Sequence, residues 1–173
     1  MEIGKRLARV EMLLLDVDGV LTAGEIIYSD SGEQIKIFNV KDGLGIRMLK
    51  EAGITVGIVT GRSGRALKHR CDNLGLTLVF EGARDKAKTM DRITAETGIM
   101  PEAMAYIGDD LPDLAIMKRA GLAIAVADAH EMVRQCAHLV TRARGGRGAV
   151  REAAEAILKA RNRWEDLVDR LFG

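Results

Sequence analysis

Short runs that are apolar almost throughout recur along this chain and alternate with stretches of helical spacing. Residues Met12–Leu15, Thr55–Val59, 77–80, 103–107 and Leu122–Ala125 are such runs, and 138–141 is a weaker one. A strand with one wet face alternates apolar and polar side chains, whereas a strand covered on both faces does not. These runs therefore predict buried parallel strands. Between them, residues 42–52, Arg65–Leu74, Lys86–Thr97, 111–119 and 129–136 carry helix-type spacing, and 147–172 reads as helical to its end. Such alternation predicts an α/β fold: a doubly wound, Rossmann-like, mostly parallel sheet with right-handed crossovers. Gly53, Gly75, Gly98 and Gly121 stand where helices should stop, as left-handed caps. A chain of 173 residues with 47% hydrophobic content suits one domain spanning 1–173 around one core.

One segment departs from the alternation. Residues 25–40 read E-I-I-Y-S-D-S-G-E-Q-I-K-I-F-N-V, two β-rich runs around Ser29-Asp30-Ser31-Gly32. That pattern predicts a β-hairpin arm directly after the first strand, placed to shield a site there or to meet another subunit. The remaining composition narrows the partners. Net charge is +1 and no charge block reads as a nucleic-acid tract; Arg142, Arg144, Arg147 and Arg151 lie among glycines and read as structural or anion-facing. Cys71 and Cys136 form no paired motif, so reduced thiols are expected. No run approaches the roughly 20 apolar residues of a membrane span. Residues 1–9 carry no signal-peptide pattern, which predicts a cytoplasmic protein without membrane partners.

The first strand ends in Asp16-Val17-Asp18-Gly19, two carboxylates one residue apart at the end of a core strand. Burying them is costly unless a cation meets them. In an open α/β sheet, ligands bind beyond the carboxyl ends of the strands. Asp16, Thr60 and Asp109 each follow a predicted strand, and Lys86 opens the helix after another, so residues distant in sequence converge. Asp16 is the expected nucleophile, since a carboxylate can attack phosphorus and split hydrolysis into two steps. Asp18, on the same side of an extended segment, would protonate the leaving alcohol and then deprotonate water. Thr60, the Gly61 N–H and Lys86 offer donors to phosphoryl oxygens. Asp109, Asp110 and Asp113 place three acids in five positions, and oxygen ligands of this kind favour Mg²⁺. Asp16, a backbone oxygen at Asp18, and Asp109 are the expected ligands, with Asp113 behind them; Asp110 is read equally as a helix cap or as part of the site.

At these positions the chain resembles the haloacid dehalogenase-like phosphohydrolases, a family that uses an aspartate nucleophile, a second aspartate two residues on, a Thr or Ser, a Lys and a late acidic motif around Mg²⁺. Asp16, Asp18, Thr60, Lys86 and Asp109 match in that order. The strings D-V-D-G-V-L-T, F-N-V-K-D-G-L-G-I-R, V-T-G-R, Y-I-G-D-D-L, V-A-D-A-H and G-G-R-G-A-V-R-E extend the likeness to a branch that hydrolyses sugar acid phosphates. The resemblance implies no large cap domain and a homotetramer whose arms and C-termini close neighbouring sites. It also implies substrate contacts by Asp18, Asn39, Val40, Lys41, Asp42, Gly43, Arg47, Thr60, Gly61, Arg62, Arg70 and Lys86. Arginine forks suit a substrate that carries both a carboxylate and a phosphate. Arg62 points by analogy to an eight-carbon rather than a nine-carbon sugar acid, and the branch serves lipopolysaccharide synthesis. A silent tetramerisation module is the rival from another class, and it would be signalled by loss of a catalytic carboxylate.

Overall fold

The computed structural model describes residues 2–173. Its elements are α1 (Ile3–Ala8), β1 (Met12–Leu15), β2 (Ile27–Tyr28), β3 (Gln34–Ile35), α2 (Val40–Glu51), β4 (Thr55–Val59), α3 (Arg65–Leu74), β5 (Leu78–Phe80), α4 (Lys86–Thr97), β6 (Met104–Gly108), α5 (Leu114–Met117), β7 (Leu122–Ala125), α6 (Glu131–Cys136), β8 (Leu139–Val140), α7 (Ala149–Ala160) and α8 (Trp164–Phe172). Six strands form one sheet in the order β5-β4-β1-β6-β7-β8, every pairing parallel. The expected α/β class and doubly wound sheet are therefore found.

The strand order explains the site. From β1 the chain steps outward to β4 and β5, then crosses back to β6, β7 and β8 on the other side. With right-handed crossovers, that reversal puts α2 and α3 on one face and α4, α5 and α6 on the other. It also opens a crevice at the carboxyl ends of β4, β1 and β6. The register levels these ends, because Leu15 faces both Ile58 and Ile107. All of β1 is fully covered, as are Ile58, Val59, Tyr106 and Ile107. That burial is why the runs show no alternation.

Several elements differ from the sequence reading. Residues 3–8 form α1, which the pattern did not reveal; only Leu7 of it is buried, too little for a period to show. The arm forms an antiparallel pair in which Ile27 faces Ile35, but each strand is two residues long. Its far end, Val40, already belongs to α2. The helix expected over 111–119 divides into a 3-10 turn, Leu111–Asp113, and the short α5. The helical stretch 147–172 breaks at Asn162, whose φ of 53° ends one helix and lets α8 fold back. Gly53, Gly75 and Gly98 do end helices with positive φ, whereas Gly121 does not. A Cβ on Gly121 would lie 2.0 Å from the Glu102 carbonyl oxygen, so close backbone approach explains that glycine.

Candidate active site

The backbone after β1 turns at once. The amides of Leu21 and Thr22 both donate to the Val17 carbonyl, at 2.9 and 3.0 Å. The Thr22 hydroxyl accepts from the amides of Gly19 and Gly24. Gly19 has φ +92°, and a Cβ there would lie 2.0 Å from Asp109 Oδ2. Glycine thus allows the loops after β1 and β6 to touch, which brings Asp16 and Asp109 together.

The glycine string at 145–148 braces this turn from below. A Cβ on Gly145 would sit 1.7 Å from the Gly19 carbonyl oxygen. The Gly146 amide donates to the Val20 carbonyl at 2.8 Å. Asp42, 1% exposed on α2, accepts from the amides of Gly148 and Arg151 at 3.2 and 2.9 Å and so caps the start of α7. Asn39 caps its own helix by accepting from the Lys41 amide at 2.8 Å and donates to the Gly146 carbonyl at 3.3 Å. Two motifs far apart in sequence are therefore the two halves of one support. The polar atoms of Asn39 and Asp42, both expected to meet substrate, are engaged by backbone in this structure. Val40 and Lys41 are exposed on the first turn of α2, outside the pocket around Asp16.

Lys86 is 5% exposed, far from the solvated residue that most helix-opening lysines are. Its ammonium meets Asp16 Oδ1 at 2.9 Å, Asp113 Oδ1 at 2.5 Å and the Tyr106 hydroxyl at 2.9 Å. Asp113 is fully engaged: Oδ1 also accepts from Tyr106 at 2.6 Å, and Oδ2 accepts from the amides of Asp109 and Asp110 at 2.9 and 3.2 Å. It orients Lys86 and the β6 loop without reaching outward. Asp110 accepts from the Leu111 amide at 2.8 Å within a capping box, so its capping reading holds, although it also borders the pocket. Tyr106 was missed because a tyrosine inside an apolar strand reads as core.

Asp16, Asp109 and Asp113 offer carboxylate oxygens within 4.8 Å of one another. With Asp113 committed to its neighbours, Asp16 and Asp109 are the pair left to hold a cation. Burial, above all, pushes Asp16 up to about 6, with Lys86 pulling it down and Asp113 raising it. Burial likewise pushes Asp109 up to about 8, followed by repulsion from Asp16 and Asp113. Two carboxyls that resist ionisation side by side, both on hard oxygen donors, fit a divalent cation of the Mg²⁺ kind.

Asp18 is flanked by Lys36 of the arm and by Arg62, whose Nε lies 3.9 Å from Oδ2. Thr60 is 2% exposed, and its hydroxyl accepts from the Arg62 amide at 3.3 Å. Asp16, Asp18, Thr60, Gly61, Arg62, Lys86 and Asp109 all line one open pocket of about 580 Å³. Arg84 and the arm residue Ile26 border it as well, and neither had a sequence signal. Gly43, Arg47 and Arg70 line a second cleft of about 370 Å³ that shares no residue with the first. Val40 lines this cleft too, so the expected substrate contacts divide between two clefts on one protomer, with Asn39, Lys41 and Asp42 lining neither.

The family of haloacid dehalogenase-like hydrolases matches residues 79–152. The 3-deoxy-D-manno-octulosonate 8-phosphate phosphatase of Yersinia pestis is 45% identical over 161 residues, 93% of this chain and 86% of that protein. That of Escherichia coli K12 is 43% identical over 91% of this chain and 84% of its own. The crystal structure of the Moraxella catarrhalis phosphatase of that name, in complex with magnesium, phosphate and KDO, superposes with a TM-score of 0.95 at 39% identity, covering 97% of each chain.

Proposed function

Because the chain belongs to the 3-deoxy-D-manno-octulosonate 8-phosphate phosphatase family of haloacid dehalogenase-like hydrolases, we propose that it releases phosphate from that eight-carbon sugar acid ester through an aspartyl-phosphate on Asp16. It is a phosphoric monoester hydrolase, and its substrate is a small sugar phosphate. The observation that carries the reading is the convergence of Asp16, Asp18, Thr60, Lys86 and Asp109 on one pocket from four different strand ends.

Asp16 Oδ attacks phosphorus in line with the departing alcohol. Lys86 holds the nucleophile at 2.9 Å and keeps a positive charge beside the phosphoryl oxygens as they gain charge. Thr60 and the Gly61 amide donate to the same oxygens. Asp18 delivers a proton to the leaving oxygen, then takes one from the water that opens the phosphoenzyme. Asp16 and Asp109, with the Asp18 carbonyl, would hold Mg²⁺, which supplies charge neutralisation between nucleophile and phosphate. Asp113 and Tyr106 keep Lys86 aimed at Asp16 and contact no substrate. Arg62, half-exposed beside Asp18, suits the sugar acid end of the substrate. The product then serves lipopolysaccharide synthesis.

A phosphate-release panel with Mg²⁺ should give the highest kcat/KM on the eight-carbon ester, above a nine-carbon sugar acid phosphate. Preference for the nine-carbon ester would overturn the substrate, and silence on every sugar phosphate would revive the assembly-module reading.

The expected homotetramer has a physical basis in the arm. Ile26, Tyr28, Ile35 and Ile37 are 46, 62, 47 and 68% exposed, an apolar surface on one small element, and Val40 at the start of α2 beside it is 81% exposed. Arg47 and Arg70, lying in a cleft of their own, would then serve the assembly or a neighbouring site. Burial and the nearby Arg47 both disfavour the charge on Arg70, and its Nε has no hydrogen-bond partner among the described residues, so an anion there would be welcome. Size-exclusion chromatography with light scattering should show four subunits; a monomer active at full rate would remove the shared-site arrangement.

A further inference from the structure

Lys36 lies one residue past β3, at the base of the arm. Its neighbours Ile35 and Ile37 are 47% and 68% exposed, yet its own side chain is 3% exposed. Successive side chains of an extended segment point to opposite sides. The arm therefore turns its isoleucines outward and sends a single ammonium inward, where it meets Oδ1 of Asp18. Taking an ammonium out of water is costly unless a partner compensates. The partner here is one carboxylate, already named as the acid and base of the reaction.

The two oxygens of Asp18 are treated differently. Oδ1 is gripped by Lys36. Oδ2 is buried and has no hydrogen-bond partner among the described residues, and the Arg62 Nε at 3.9 Å is beyond hydrogen-bond reach. Asp18 lines the pocket that holds Asp16 and Thr60. A carboxyl held at one oxygen presents the other in a fixed direction. A loosely held one samples a broad torsional range about its terminal bond.

We propose that Lys36 is a positioning residue for the phosphatase reaction: by holding Oδ1 of Asp18 it fixes the orientation of the carboxyl that exchanges a proton with the bridging oxygen of the phosphate ester, and so makes the arm part of the proton-transfer machinery. The inference rests on the reading of Asp18 as acid and base. It gives the arm a role within its own protomer. Displacement of the arm would slow proton transfer while leaving the nucleophile, the Lys86 network and the cation ligands in place.

Lys36→Met keeps the stem and removes the charge. Its kcat/KM, which covers the steps up to alcohol release, is measured on the sugar acid ester and on para-nitrophenyl phosphate. The aryl leaving group departs without a proton and the sugar alcohol does not. The variant should lose about 30- to 100-fold on the sugar ester, the scale of a misplaced proton donor. It should lose less than about threefold on the aryl ester, where general acid catalysis contributes little. Lys36→Arg should recover most of the loss.

A second arm separates positioning from direct contact with the sugar. On the sugar ester, Lys36→Met combined with Asp18→Asn should be no slower than Asp18→Asn alone, because a residue acting through Asp18 has nothing left to act on. A further loss in that background would mean that Lys36 touches substrate, and would overturn the proposal. Equal losses on both esters, or unchanged rates, would overturn it too. A melting curve for each variant, expected to match the wild type within a few degrees, identifies misfolding, and the Asp18 background keeps the test decisive. Wild-type protein inactive on both esters would instead bring down the phosphatase reading, a result distinct from any outcome at Lys36.

Discussion

Asp16→Asn should abolish phosphate release while leaving the protein folded, with kcat lower by about 10⁴-fold or more, the scale seen when an enzyme loses its nucleophile. Asparagine has the same shape and can still accept from Lys86, but its amide cannot form the aspartyl-phosphate. Retention of more than about a tenth of wild-type turnover would show that another group attacks phosphorus. The same variant should change the response to pH and cation. Asp16 and Asp109 are held above the ordinary carboxylate value, at about 6 and about 8. Between the ordinary value and those, the folded chain binds more protons than the unfolded one, so these two groups make the cation-free protein less stable as pH rises through that window. Mg²⁺ binds the ionised pair and reverses the effect. Calorimetry should therefore find a larger Mg²⁺-induced rise in Tm near pH 8 than near pH 5, and most of that difference gone in Asp16→Asn. An unchanged Mg²⁺ shift in the variant would remove Asp16 from the cation site.

Lys86→Met should be the most destabilising single change at the site. The ammonium is 5% exposed and balances Asp16 and Asp113, which are 8% and 1% exposed. Removing one partner of a buried ion pair costs about 3–5 kcal/mol, because the remaining charge stays buried without compensation. For a domain of this size that corresponds to a Tm lower by roughly 10 °C. The loss should shrink toward low pH, where the abandoned carboxyls protonate. Lys86→Arg should rescue little, since a planar fork cannot replace a compact ammonium between Asp16, Asp113 and Tyr106. A Tm within about 2 °C of wild type at neutral pH would mean that the network in the cation-free protein is held by other contacts.

The candidate catalytic set is legible because chemistry and topology leave the same mark. Asp16, Thr60 and Asp109 each stand immediately after an apolar run, and Lys86 opens a helix. The rule that strand ends converge needs only the order of elements, not their coordinates. Their partners left no such mark. Tyr106 sits inside β6 and looks like any buried aromatic until its hydroxyl is found on Asp113. Lys36 alternates with isoleucines in a β-rich run and reads as a solvated strand residue. Only the way the arm lies against the β1 turn turns it inward. Asn39 and Asp42 show the reverse case. The family resemblance implies a role toward substrate for both, while the tertiary structure adds a second one that no pattern announced, the hold on the backbone of 146–151.

By itself the sequence determined the class of fold, the sheet's burial on both faces and the candidate reacting groups. Each of those follows from local pattern: uninterrupted apolar runs, helical spacing, and carboxylates that no core strand tolerates without a cation. Only the tertiary structure decided which groups meet. Asp113 stands behind Asp16 and Lys86, the glycine string supports the turn after Asp16, and Arg47 and Arg70 open on a cleft of their own. These are distances between segments as far apart as Gly19 and Gly145, where a single methyl group would not fit. Contacts of that kind depend on how loops close over the finished sheet, and one-dimensional periodicity carries no record of it.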